Sequence, residues 1–453
     1  MKKLLSMILC LSMIFALCAC AKLEAIRNTE LPPLPTREQA EQPTGEPAEE
    51  PSPAAEAEAE DAAASEPVRN EGGDASAQVS DVKGAELGDR VTIYMKKTQE
   101  TFDAPDGSLI FLFSYVTPTV RIDERPQIAE AINEQLRLLD ELYISGSGGE
   151  GGKNQLLEDA LDNYTYVRAT GAELNTLFSS ARTVKSIRAD GSVISFRYWT
   201  SVYTGGTSGK HGYLGLSFDG QTGEKLTLDA LSSDQSAFRK ALVDNLIAQA
   251  KEDKELYSRI SHHEVDADSA LASVVREGNW YFSEEGIVIF PAFGELKPES
   301  EGLPMFTVPY SALAGVMDDR FLPAERDGDA ELEIVRLGET EDGTIQSVDR
   351  LVVSEDGEEL YLKISGTAFD VTVSEIYIID QPEDGERFHE GERYWYSSYL
   401  SDCGLQLCAA VPHGMPDLMI SYTDADFTLH RFFLSETGAG GIALVDDSIE
   451  AVG

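Results

Sequence analysis

The stretch that decides the reading is Val202–Leu231, "VYTGGTSGKHGYLGLSFDGQTGEKLTLDAL". It opens on a glycine-rich turn, Tyr203, Thr204, Gly205 and Gly206, and carries Lys210 and His211 out of that turn. "YLGLSFD" then alternates apolar with small or polar residues, the period of two that marks a half-buried strand. "GQTGE" has turn chemistry and "KLTLDAL" resumes the alternation, so the segment predicts a hairpin with Lys210 and His211 at a loop tip before it.

The glycines invite a search for known chemistry. A phosphate loop needs Gly, four spacers and Gly-Lys-Ser/Thr. Here Thr204 stands where the first Gly belongs and His211 where the hydroxyl residue that binds Mg²⁺ belongs. A nucleophile elbow needs Gly-x-Ser-x-Gly, and Ser208 lies directly before Gly209. No His-Glu-x-x-His metalloprotease motif is present. "SHHEVDADS" (261–269) holds two adjacent histidines near acids and reads as a solvated helix end rather than a ligand set. These motifs give no catalytic residue, no metal site and no cofactor.

Outward from this stretch, strand and helix signals do not alternate strictly, which predicts an α+β fold rather than a doubly wound sheet. "VTIYMK" (91–96), "SLIFLFSYV" (108–116) and "SVISFRYWTSVY" (192–203) are strands. Pro126 opens a helix whose apolar face carries Ile128, Ile132, Leu136, Leu139 and Tyr143. "GAELNTLFSS" (171–180) reads as a short helix, and a second main helix spans about 234–257 with Phe238, Leu242, Leu246 and Ile247 inward. "NWYFSEEGIVIFPAF" is a hairpin turning at Glu284–Gly286. From 330 to 453 only strand signals remain, which predicts a sandwich-like all-β domain. "CGLQLC" within it reads as two packed thiols, Cys403 and Cys408, rather than a disulfide.

The chain start has a different character. Lys2 and Lys3 precede the apolar run "LLSMILCLSMIFALCAC". Its end, Leu17, Cys18, Ala19, Cys20, resembles a bacterial lipobox, which implies cleavage before Cys20 and a lipid on its thiol. Two or three acyl chains anchor firmly where one does not. Residues 1–20 are thus an export signal. Residues 21–88 read as an unstructured stalk: positions 31–80 hold twelve acids, two basic residues and few branched apolar ones. Such a segment cannot bury enough surface to offset its ordering entropy. The whole chain of 453 residues has 80 acidic and 36 basic residues, a net charge of −44, which argues against nucleic acid as a partner and suits a cationic one.

The pattern Tyr203-Thr204-Gly205-Gly206, then Phe218-Asp219, Thr222-Gly223, Leu226, Leu228 and Asp229, and finally Val308-Pro309-Tyr310, resembles the domain that ends the anti-sigma-V factor RsiV. The same type of domain precedes the catalytic part of the peptidoglycan deacetylase PdaC. The resemblance covers about half the chain. It implies an N-terminal partner part at 89–190 and the RsiV-like domain at 191–322. In that family Ala-His often follows the paired glycines. Here Thr207, Ser208, Gly209 and Lys210 intervene before His211. No deacetylase motif follows, so the resemblance implies a binding module without that enzyme's chemistry. In the anti-sigma relative such a module recognises lysozyme, a cationic protein.

Together these readings predict a lipid-anchored module on the outer face of a bacterial cytoplasmic membrane. It would be no enzyme, and would bind a cationic protein such as lysozyme or a peptidoglycan component. The candidate binding loop is Tyr203, Gly205, Gly206, Lys210 and His211. A wall-modifying enzyme and a structural envelope protein are the alternatives.

Overall fold

The computed structural model describes residues 88–453 apart from 147–151, 172–176, 207–208, 261–265, 299–301, 337–346, 379–387, 413–415, 437–441 and 447–453. Cys20, the stalk, Thr207, Ser208 and His262–His263 lie outside the described residues. Among the described residues no helix is long and apolar enough to cross a membrane.

The fold is α+β: among the described residues, five helices, a large mixed sheet and a small second sheet. Strands β1 (Val91–Asp103) and β2 (Leu109–Ile122) form a long antiparallel hairpin that continues through the mostly polar "QETFD". Helix α1 (Pro126–Ser145) starts on its proline and ends at Gly146 in the left-handed conformation. Ile128, Ile132 and Leu136 are buried as the spacing requires, with Leu139 and Tyr143 partly so. Helix α2 (Lys153–Thr170) has only Leu156 and Ala160 buried, so its period is faint in the sequence. Of the helix expected over "GAELNTLFSS", residues 172–176 lie outside the described residues, and its last three are strand. Residues from Phe178 onward belong to β3 (Phe178–Ala189), parallel to β2. The apolar Phe178 packs with Phe111 and Phe113 of its neighbour, and that tertiary contact outweighs local helix propensity.

Strands β4 (Val193–Tyr203) and β5 (Lys210–Asp219) complete this edge of the large sheet. Alternate residues of β4 serve two cores. Ile194, Phe196 and Tyr198 face α1, whereas Val193 joins the core built by α3 (Gln235–Glu252), α4 (Lys254–Ile260) and α5 (Ala267–Ser273). Phe238, Leu242 and Leu246 of α3 are 0 % exposed. Each such side chain contributes roughly 1.5–3 kcal/mol through burial. The expected second arm of the opening hairpin is not a strand. Phe218 and Lys225 make a single bridge, and Leu228–Leu231 wind into one 3-10 turn that sends Leu226, Leu228 and Leu231 into the α3 core. The small sheet is β6 (Trp280–Phe282), β7 (Gly286–Ile289) and β8 (Phe306–Pro309), the first two turning where Glu284–Gly286 predicts.

The C-terminal strands are β9 (Ala330–Arg336), β10 (Ser347–Val352), β11 (Glu358–Ile378), β12 (Phe388–Ser401), β13 (Gly404–Ala409), β14 (Leu418–Thr423), β15 (Leu429–Glu436) and β16 (Ile442–Asp446). "ELYLKIS" and "VTVSEIYII", read apart in the sequence, are one strand. The first half of β11 pairs with β9 and β13, the second with β12 and β14. Their facing side chains, Leu360, Leu362, Val373, Trp395, Leu405 and Ile420 among them, make one core. Strand β12 also pairs with β1, Thr92 opposite Ser397, so the sheet runs across the sequence boundary expected near 330. Cys403 and Cys408 are both free thiols, as "CGLQLC" suggests, and the Cys408 thiol donates to the Ser354 carbonyl at 3.1 Å.

Candidate functional site

The residues singled out in the opening stretch separate into two groups. One holds the fold. Phe218 is 0 % exposed in the α1 core. The Asp219 carboxylate accepts from the backbone N–H groups of Gln221 and Thr222 at 2.8 and 3.1 Å, and from Arg320 at 2.7 Å. The Thr222 hydroxyl accepts from the Glu224 N–H. Gly223 has φ +75° and presses on α1: a Cβ there would stand 3.0 Å from the Ile128 carbonyl oxygen. Asp229 is exposed and pairs with Arg239. Pro309 is exposed at the end of β8, and the Tyr310 hydroxyl donates to the Ser283 carbonyl at 2.6 Å. These are turn, tie and surface residues.

The second group lies at the other end of β5. Tyr203 closes β4, and its hydroxyl donates to the Gly206 carbonyl at 2.8 Å, pinning the turn that Gly205 enters. Lys210 is exposed. His211 pairs with Ser201 across the strands, and its ring stacks on Trp199 at 5.5 Å and 17°. Phe293 lies 5.7 Å from that imidazole and stacks on Tyr213 at 5.6 Å and 15°. Trp199, His211, Tyr213 and Phe293 are each half-buried and form a continuous aromatic strip. Cations border it: Lys185 stands 5.8 Å from the Trp199 ring, and the Arg197 guanidinium 5.1 Å from Tyr213. The imidazole Nδ1 is buried without a hydrogen-bond partner. Its ring neighbours are aromatic.

The strip owes its place to the strand period. Arg197, Trp199 and Ser201 point away from α1, as do His211 and Tyr213 on the neighbouring strand. Near the small sheet this face is covered: the Phe282 N–H donates to Ser195 Oγ, and Gly215 N–H donates to the Gly278 carbonyl. Gly215 permits that approach, since a Cβ would fall 1.6 Å from the Trp280 carbonyl oxygen. The cover does not bury the strip. The sequence reading named Lys210 and His211 as candidates, of which only His211 lies in the strip, and it did not name Trp199, Tyr213 or Phe293. The first two were legible as outward residues of paired strands, whereas Phe293 follows the hairpin 80 residues on.

A second constellation, absent from the sequence reading, lies between β3, the β6–β7 turn, the segment after Leu322, and β11–β12. Arg188 is 0 % exposed. It donates to Asp190 at 2.8 Å, to the Phe321 carbonyl at 3.0 Å and to the Tyr310 hydroxyl. Arg326 donates to Glu284 at 2.9 Å, Asp370 at 2.6 Å and Thr423 at 2.7 Å. Its guanidinium also stacks on Phe369 and Phe427. Burial pulls both guanidiniums down, but the neighbouring carboxylates more than reverse this and hold them above the usual arginine range. Asp370 is itself unusual, a non-glycine residue at φ 49° where β11 shifts register against β14. The free space among these groups is about 20 Å³. That admits about one water molecule and no sugar or peptide.

Comparison with known families adds one assignment. Residues 229–311 match the model described as a protein of unknown function, DUF3298. The chain therefore carries a DUF3298 domain, formed by α3–α5 and the small sheet. No curated protein matches the chain. Two crystal structures of DUF3298 family proteins are similar. One, from Pseudomonas aeruginosa PAO1, has 14 % identity and a TM-score of 0.34, covering 51 % of this chain and 96 % of its own. The other, from Bacteroides fragilis NCTC 9343, has 16 % identity and a TM-score of 0.38, with the same coverage. The matched residues begin after His211 and Asp219, so the aromatic strip unites β4 and β5 with only one matched residue, Phe293.

Proposed function

We propose that this chain is an envelope binding module, tethered outside the membrane by a lipid on Cys20, which takes a cell-wall glycan on its aromatic strip. The observation that carries this is the strip itself: Trp199, His211, Tyr213 and Phe293, half-buried, bordered by Lys185 and Arg197. Flat aromatic faces bind the apolar faces of sugar rings without a deep pocket, and cations suit the carboxylates of wall peptides. The resemblance to the RsiV and PdaC domains supports a wall-facing role, and the chain is proposed to act by binding rather than by catalysis. A net charge of −44 favours a second reading, in which a cationic protein such as lysozyme docks on the acidic surface outside the strip.

One titration separates the two. The three tryptophans are Trp199, Trp280 and Trp395, and the last two are 3 % and 0 % exposed. A ligand on the strip must therefore change Trp199 fluorescence. Soluble muropeptides are expected to quench it in the full chain and to leave Trp199→Phe unaffected. Absence of any change up to millimolar muropeptide would overturn the glycan reading. Retention of lysozyme on a column of the Trp199→Phe protein would favour the second. The anchor is tested by cell fractionation, where Cys20→Ala is expected to move the chain from membrane to soluble fraction.

A further inference from the structure

The buried charges around Arg188 and Arg326 do not count out evenly. Two guanidiniums face three carboxylates, Asp190, Glu284 and Asp370. Asp190 accepts from Arg188 on one oxygen and from the Ser192 and Val193 N–H groups on the other. Asp370 accepts from the Tyr396 hydroxyl at 2.7 Å on one oxygen, and from Arg326 and the Thr423 hydroxyl on the other. Glu284, its side chain 24 % exposed, accepts from Arg326 alone among the described residues. The same Arg326 nitrogen serves Glu284 and Asp370, at 2.9 and 2.6 Å, so the two carboxylates share one cationic group. A like charge nearby favours the protonated form of one of the two. With one proton on Glu284 the cluster is neutral, two against two.

We propose that this cluster is a proton-dependent latch between the β6–β7 turn and the C-terminal strands, closed while Glu284 holds a proton and loosened when all three carboxylates ionise. Its parts come from separate stretches of chain: Arg188 and Asp190 around the end of β3, Glu284 and Tyr310 from the small sheet, Arg326 from the connecting segment. Asp370, Tyr396 and Thr423 come from β11, β12 and β14. Asp89 lines the same small space. Burial first, then the charge of Asp370, push the Glu284 carboxyl up to about 8, against the pull of Arg326 and Arg188. Burial likewise raises the Tyr310 and Tyr396 phenols, so both stay protonated donors over the same range. The sign follows: the folded state binds a proton that the unfolded state releases near 4.5, so stability falls as pH rises from there through about 8.

Hydrogen exchange of the full chain, corrected for the intrinsic pH dependence of exchange, tests this at residues 323–330 and 366–373. Between pH 6 and 9 wild-type opening of these segments is expected to increase about tenfold or more, one pKa unit's worth of coupling. Glu284→Gln, uncharged at every pH, is expected to stay closed and show no such increase, while the exposed neighbour Glu285→Gln keeps the wild-type response. Asp370→Asn, which removes the opposing charge, is expected to shrink the response and serves if Glu284→Gln fails to fold. A wild-type response that is flat with pH, or one that survives in Glu284→Gln, overturns the latch.

Discussion

The two ends of β5 sit eight residues apart and differ in kind. At Asp219 both carboxylate oxygens are engaged and the side chain is about 5 % exposed. At His211 the ring lies among other rings, half-open to solvent, and one nitrogen lacks a partner. A strand end whose polar groups are all satisfied within the chain has little left to offer a ligand. One that presents flat apolar faces beside cations has much. The sequence pattern touches both ends, Phe218-Asp219 at the first and Tyr203-Gly206 at the second, and the candidate ligand surface is the second.

Mutations can break this contrast. The largest effect is expected midway, where Gly215→Ala drives a methyl into the Trp280 backbone. The small sheet must move, and a loss of several kcal/mol, about 3–5, is expected in urea unfolding. Next, Asp219→Ala strands two backbone N–H groups and Arg320, and is expected to cost about 2–3 kcal/mol while leaving ligand quenching of Trp199 intact. Should it abolish quenching in a folded protein, the two ends are not independent. Smaller still, Arg320→Ala removes the half-exposed partner of that pair, at a cost of about 1 kcal/mol. The smallest stability effect belongs to Tyr213→Ser, within about 1 kcal/mol, together with a loss of muropeptide binding. If unfolding suffers more than binding there, the strip is a core and the comparison fails.

Much of the scaffold was legible because periodicity is a local property. The Ile128–Leu136 face, the Phe238–Leu246 face and the C-terminal strands all follow from spacing. The α+β class followed too. Where the reading departed from the structure, a distant partner decided the outcome. Phe178 became a strand residue because Phe111 and Phe113 await it, and Leu228 turned inward because the α3 core lies beneath it. The candidate site was half legible. His211 stood out beside glycines, but its aromatic neighbour Phe293 arrives from the loop after β7. The ionic cluster left no local mark, since Arg188, Glu284, Arg326 and Asp370 are ordinary surface residue types until the fold assembles them.

The pairing of β1 with β12 bears on how the molecule can be dissected. Residues 92 and 397 are neighbours in space although most of the folded chain separates them in sequence. A fragment ending near 322 would keep the matched domain and the aromatic strip, yet leave the outer edge of β1 with unmet backbone donors and acceptors. Such an edge recruits a strand from another molecule. Fragments of this protein are therefore expected to self-associate through β1, and a ribosome must deliver nearly the whole chain before that edge can close.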